Sequence, residues 1–385
     1  MKRIHAIDFT RGLVMVIMAL DHTRDLMHLT SLTLNPTDLS STTPALFFTR
    51  WITHLCAPTF VFLSGTSAYL SYQNQKNTSN AQSFLRSRGL WLIILEFTVI
   101  SFALWFDIRF KILFFQVIGA IGLGFIILSF MLKLSSKTIG IIGLVIVFGH
   151  NLLQLVPFNE PPFVYFSFLF GPNVFPITPD FTFAIGYPPI PWLGIMLVGF
   201  ACGKVFELPL EKRKRTLLQL GLGSLILFTI LRFINVYGDP VKWTTQKDML
   251  FTFFSFINVN KYPPSLLYSL ITLGIMFLIL YISDGVKNKF IDIISVYGKV
   301  PLFYYLIHWY IIHLTMFAMV FLQGATWKDL AFGPFQFGRP LTGTGVSLPI
   351  TYLIWFGIIL LLYPLCRWYG KYKDAHRDNK WLRYL

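Results

Sequence analysis

The chain has 385 residues, 55% of them hydrophobic and 13% charged, with a mean hydropathy of +0.62. That composition excludes a soluble globular protein, which could not hide so much apolar surface, and indicates a polytopic membrane protein. The formal charge of +15 does not indicate nucleic acid, because Lys and Arg fall between apolar runs rather than along one basic stripe.

A hydrocarbon core about 30 Å thick takes roughly 20 helical residues to cross. Ten spans are expected by that measure, at 8–28, 45–72, 88–107, 112–132, 138–156, 190–206, 216–236, 264–283, 300–322 and 348–366. The basic opening MKRIHA leads into an apolar run without a small-residue cleavage site, so the first span is expected to stay as an anchor. Lys and Arg alternate in density along the connections. One set holds Lys2, Arg3, Lys76, Arg86, Arg88, Lys133, Lys137, Lys204, the KRKR run at 212–215, Lys287, Lys289, Lys299 and the tail from Arg367; the other holds only Arg109, Lys111, Lys242, Lys247, Lys261, Lys328 and Arg339. This bias places both termini in the cytoplasm. The fold class expected is all-α: a transmembrane bundle of about ten helices forming one domain over 1–385.

The connections at 157–189, 237–263 and 323–347 are long and rich in Pro, Gly and aromatic residues. Such segments suit a lid or binding rim folded over the bundle, or packing against lipid headgroups. Cys56, Cys202 and Cys366 lie in apolar segments without paired spacing, so neither a disulfide framework nor a metal site is expected.

Ionisable side chains inside a bilayer cost several kcal/mol each and mark a site by default. The first span carries ALDHTRDLMH at 19–28 in its outer third, the second brings Arg50 and His54 to comparable depth, and the ninth brings His308 and His313. Asp21 and Asp25 share a helix face, as do Arg50 and His54. A carboxylate beside His22 would orient it as a general base, and a nearby arginine could hold a carboxylate, a phosphate or an oxyanion. Catalytic candidates are therefore His22, His54, Asp21 and Asp25, with Arg24, Arg50 and His308 as substrate-binding candidates. An Arg24–Asp25 pair could equally pin helices together, and His308 could equally be a packing residue. His28 and His313 read as ordinary hydrogen-bonding residues, and Glu96 as either a proton relay or a helix-pairing group. His308 and His313 are five apart rather than four, which does not suit a helical zinc site. GTGVS at 343–347 lacks a phosphate-loop pattern, and there is no G-x-S-x-G elbow.

The segment IHAIDFTRGLVMVIMALDH resembles the opening of membrane-bound acyltransferases, in which D-x-x-R-G is followed by a histidine eleven residues after the arginine. Asp8, Arg11, Gly12 and His22 match that motif. The fuller stretch through NPTDLSSTTPALFFTRWITHLCAPTFVFLSGTSAYL resembles bacterial members of the heparan-α-glucosaminide N-acetyltransferase catalytic-domain family, as do PPIPWLGIMLVGFACGKVF, YPPSLLYSLITLGIMF, KVPLFYYLIHWYIIH and the tail. The resemblance implies an acyltransferase of the cytoplasmic (inner) membrane. Its donor would be acetyl-CoA from the cytoplasmic side, and its acceptor an amine or hydroxyl of a glycan or envelope lipid on the far side. The eukaryotic heparan enzyme has its catalytic histidine in the loop before the second helix; residues 29–53 of this chain contain none. Membrane lipids and a small-molecule or glycan acceptor are the expected partners, with a homodimer left open and no nucleic acid. The alternative is a proton-coupled transporter of a small polar solute, which an intramembrane His/Asp/Arg cluster also suits.

Overall fold

The computed structural model describes residues 4–75, 77–156, 163–333, 336–376 and 378–384. Lys2, Arg3 and Lys76, which contribute to the charge bias, and the start of the 157–189 connection lie outside the described residues. In chain order the elements are α1 (His5–Met27), α2 (Pro44–Ile52), α3 (Cys56–Gln73), α4 (Thr78–Leu95), α5 (Ser101–Trp105), β1 (Ile112–Phe115), α6 (Val117–Met131) and α7 (Ser136–Gly149). Then follow β2 (Asn173–Thr178), β3 (Phe181–Ile185), α8 (Pro189–Cys202), α9 (Leu210–Ile234), α10 (Met249–Ile257), α11 (Leu266–Ser283), α12 (Lys289–Gly298), α13 (Pro301–Leu322) and α14 (Leu348–Ala375).

Among the described residues, eight helical stretches are long and apolar enough to cross a membrane. Two further expected spans fall outside that class for clear reasons. Helix α1 carries Asp8, Arg11, Asp21, Arg24 and Asp25, and α6 has only 15 residues. The protein is an all-α, multi-pass membrane protein.

Three local expectations need correction. The third span begins at Thr78 rather than 88, because Asn77 caps a polar first turn that continues into the apolar run. The fourth does not begin as helix: Ile112–Phe115 is a strand, parallel to β3, while β2 pairs antiparallel with β3. An unbroken apolar run of four residues reads the same as strand or helix. The segment before α13 holds a helix of its own, α12, which lies against α1. Gly12 and Gly298 make that contact possible, since a Cβ at Gly12 would run into the backbone of Ile294 and one at Gly298 into that of Asp8. Helices without a hydrophobic force between them gain from such close backbone approach.

The long connections fold over one end of the bundle. Buried Arg232 on α9 donates to the carbonyls of Val241, Ser255, Phe256 and Asn258, which fastens α10 and its flanks. Arg339 donates to the carbonyls of Leu26, His28 and Thr344, taking up carbonyls that the end of α1 leaves without helical partners. The opposite end gathers the basic connections.

Candidate functional site

The site starts from helix spacing on α1. Arg24 lies three residues after Asp21 and one before Asp25, and its Nη2 donates to both carboxylates, at 2.8 and 2.6 Å. Across the bundle Arg50 Nη1 donates to the other Asp21 oxygen at 2.8 Å and to Thr53 Oγ1. The Arg24 side chain is 2% exposed. A guanidinium so buried persists only with its partners in place, so the cluster ties α1 to the broken second span.

That break places His54. Residues Thr53–Leu55 form a turn of 3₁₀ helix between α2 and α3. The amide that would close an α-helical ring onto the His54 carbonyl belongs to Pro58, which has no N–H. The hydroxyl of Tyr268 on α11 donates to that carbonyl instead, at 2.9 Å. The His54 Nδ1 is buried and has no hydrogen-bond partner.

A second layer is aromatic. The His22 ring lies 3.9 Å from the ring of Trp309 and 5.3 Å from that of His308, centre to centre. His308 Nδ1 stands 2.6 Å from the Tyr305 carbonyl. A carbonyl only accepts, so Nδ1 carries the hydrogen and Nε2 presents a lone pair. That Nε2 is buried without a partner, as is the indole N–H of Trp309. His308 is fully buried and His22 half-buried, so His22 is the accessible member of the pair.

The expected partner of His22 is therefore corrected. Both Asp21 oxygens serve arginines and Asp25 serves Arg24, while His22 meets an imidazole and an indole. His28 and His313 take the structural places expected of them. His28 sits in the Arg339-held turn, and both nitrogens of His313 face carbonyls, of Ala103 and Phe337. Glu96 Oε2 accepts the Gly119 N–H at 2.6 Å near the start of α6, which links the third span to α6. Asp8 and Arg11 are 3.9 Å apart, Arg11 also donates to Ser67, and Gly12 serves the α1–α12 contact.

Two features escaped the sequence reading. Lys261, in the connection above the cluster, lies within electrostatic range of Asp21, His22 and His54. That connection is held rigidly, since Asp239 accepts from the Asn260 N–H and the Ser265 hydroxyl. Burial pushes the Asp239 carboxyl up from its ordinary value. The second feature is a cavity of about 860 Å³ reaching in from the basic end of the bundle. Arg11, Arg88, Lys299 and Lys373 line it with Ser64, Ser67 and Ser71, and Leu92, Ile118, Ile121, Phe125 and Leu302 give it apolar walls. Met15 and Tyr305 also line it, and Tyr305 stands one helical turn before His308. No single sequence motif announces this cavity, because six separate elements line it.

The family model described as heparan-alpha-glucosaminide N-acetyltransferase, catalytic, matches residues 3–237, more than half of the chain and including α1 through α9. A search of curated proteins found no match. The matched region holds Asp21, His22, Arg24, Asp25, Arg50 and His54, while the partner helix bearing His308 follows it. The chain belongs to the heparan-α-glucosaminide N-acetyltransferase catalytic family, and is an acyltransferase of the membrane.

Proposed function

We propose that the protein, acting as one domain, transfers an acetyl group from acetyl-CoA, entering at the basic end, to an amine or hydroxyl acceptor at the loop end. The positive-inside bias makes the basic end cytoplasmic, and the resemblance to bacterial members of the family supports the inner membrane as its location. The acceptor is a glycan or an envelope lipid. One observation carries this reading: the 860 Å³ cavity runs from a cationic mouth to a wall one helical turn short of His308. Its size falls within the usual range for ligand sites, and its mouth suits phosphates while its walls suit an acyl-bearing arm.

The proposed chemistry uses the histidine pair. The acceptor's amine or hydroxyl attacks the thioester carbonyl while its proton passes to His22, with the His308 lone pair behind it. The carbon–sulfur bond then breaks and the sulfur leaves with that proton. The unpaired Trp309 N–H is available to the oxyanion that forms in between. Asp21, Asp25, Arg24 and Arg50 hold the first two spans in register and present charge to the acceptor, with His54 four residues after Arg50 on the second span. Whether the unit is a monomer or a homodimer does not enter this chemistry.

The test uses sealed proteoliposomes of known orientation, with acetyl-CoA supplied to one face. Turnover, as acetyl transfer or slow thioester hydrolysis, is expected only when the donor meets the basic end. Equal turnover from both faces, or donor use only at the loop end, would overturn the reading.

A further inference from the structure

Lys261 lies beyond the residues that the family model matches, in the connection above the ion cluster. Its place is fixed from two sides. The indole N–H of Trp51 on α2 donates to the Ile257 carbonyl, and the Asn258 side chain donates to the Thr37 carbonyl. These bonds tie the segment before Lys261 to the second span and to the loop that precedes it. From the other side a column of rings rises off α8. Trp192 lies 4.8 Å from Tyr187, and Tyr187 lies 5.5 Å from Tyr262, centre to centre. The Lys261 ammonium stands 4.9 Å from the centre of the Tyr262 ring. An aromatic face orients a cation without cancelling its charge. Among the described residues Lys261 forms no ion pair, while both Asp21 oxygens and one of Asp25 go to arginines.

The charge that Lys261 adds is surplus. Arg24, Arg50 and Lys261 all act on Asp21 and Asp25, three cations against two carboxylates. Tyr262 registers the excess: burial raises its phenol, but Lys261 and Arg50 outweigh burial and hold it below its ordinary value. The site is open through exposed Tyr262 and half-buried Lys261, Arg50 and His22, and its positive potential favours an anion. Depth selects which anion. Helix α11 spans about 27 Å over its 18 residues, close to the roughly 30 Å hydrocarbon core. Lys261, five residues before that helix, therefore stands in the headgroup layer at the loop end. The anion of that layer is the phosphate ester.

We propose that Lys261, held on the Tyr187–Tyr262 ring column, selects an acceptor that carries a phosphate beside its reacting amine or hydroxyl. Lys261 binds the phosphate, and the nucleophile reaches inward to His22. Two sources supply that chemistry: a sugar phosphate arriving from solution, and the phosphate of a membrane lipid headgroup. What then happens to the acceptor rests on the acyl-transfer reading above, whereas the binding of its phosphate does not.

The test compares the full-length protein with Lys261→Met, which keeps the apolar stem, and with the charge-keeping Lys261→Arg. Two pairs of amines, each differing in a phosphate, serve as probes. Glucosamine 6-phosphate against glucosamine tests the soluble source in neutral detergent. Phosphatidylethanolamine against sphingosine tests the lipid source in phosphatidylcholine vesicles. Each probe is measured as thermal stabilisation without donor, and as kcat/KM for acetyl transfer from acetyl-CoA. In one pair, wild type and Lys261→Arg should favour the phosphate-bearing member by about tenfold or more, and Lys261→Met should lose that preference. The pair that shows it identifies the source. Equal use of both members of each pair by the wild type overturns the proposal, as does a preference that survives in Lys261→Met. Acetyl-CoA turnover with no phosphate-bearing amine bound or acetylated also overturns it, and leaves the acyl-transfer reading intact. If a phosphate-bearing probe stabilises the protein through Lys261 while no probe accepts acetyl, the acyl-transfer reading fails and the phosphate site stands.

Discussion

Replacing Tyr268 by Phe should show why the second span breaks where it does. The ring would keep its place against His54 and Trp192, at 5.5 and 6.4 Å, while the hydroxyl that donates to the His54 carbonyl would be gone. His54 is 5% exposed and Tyr268 fully buried, so water does not replace the lost donor. A buried carbonyl left without its partner costs about 1–3 kcal/mol. The carbonyl needs a side-chain donor because residue 58 is proline. Pro58→Ala supplies the missing amide, and on that background Tyr268→Phe should cost less than about 1 kcal/mol, since the helix can then satisfy its own carbonyl. The double-mutant cycle should therefore show a coupling of about 1–2 kcal/mol. Reversible unfolding in detergent micelles of wild type, both single variants and the double variant measures it. An equal cost of Tyr268→Phe in both backgrounds would refute the link between Pro58 and Tyr268.

The buried ion cluster should behave as a unit. Asp21→Ala leaves Arg50 without its carboxylate and Arg24 with Asp25 alone, and should destabilise by about 3–5 kcal/mol, while Asp21→Ala/Arg50→Ala recovers part of that in the same unfolding assay. Arg339→Lys should fail to rescue what Arg339→Ala loses, because one ammonium cannot reach three carbonyls in the way a planar fork does; hydrogen exchange at the end of α1 reads both. At the loop end, hydrogen bonds from Arg109 and Lys111 hold the Asp107 and Asp180 carboxyls below their ordinary range. Each pairing is then complete above the ordinary carboxylate pKa of about 4 and lost as pH falls through the lowered native value. Carbon-13 titration of labelled aspartates checks that window, and native values at or above the ordinary one would contradict it.

The spans were legible because apolar length is a local property, and α1 was legible as a site because charge in an apolar run is costly wherever the chain goes. Asp21, Arg24 and Asp25 met as helix spacing requires, and Arg50 joined them from a matching depth. The orientation of His22 was not legible: spacing offered it Asp21 and Asp25, but both are taken by arginines, and no pattern in α1 points to Trp309, 287 positions away. His308 could be read either way until the Tyr305 carbonyl fixed which nitrogen carries its hydrogen. Lys261 counted only as a loop charge, since its place depends on Asp239 and Arg232 folding the connection back. Pro58, four residues after His54, was the one local sign of a carbonyl needing a partner. The sheet was missed because Ile112–Phe115 pairs with residues 70 positions later.

The most direct test of the account sets two histidines of the same helix against each other. His308 and His313 are both buried on α13, but the first presents an unpaired Nε2 beside His22 and the second is held between two carbonyls. Acetyl transfer from acetyl-CoA should fall in His308→Ala, which removes the lone pair behind His22, and by the roughly 10²–10⁴-fold usual for a general base in His22→Ala. His313→Ala should lose stability while keeping a rate per folded molecule close to wild type. A His308→Ala protein that is folded, binds CoA and turns over at the wild-type rate would contradict the account.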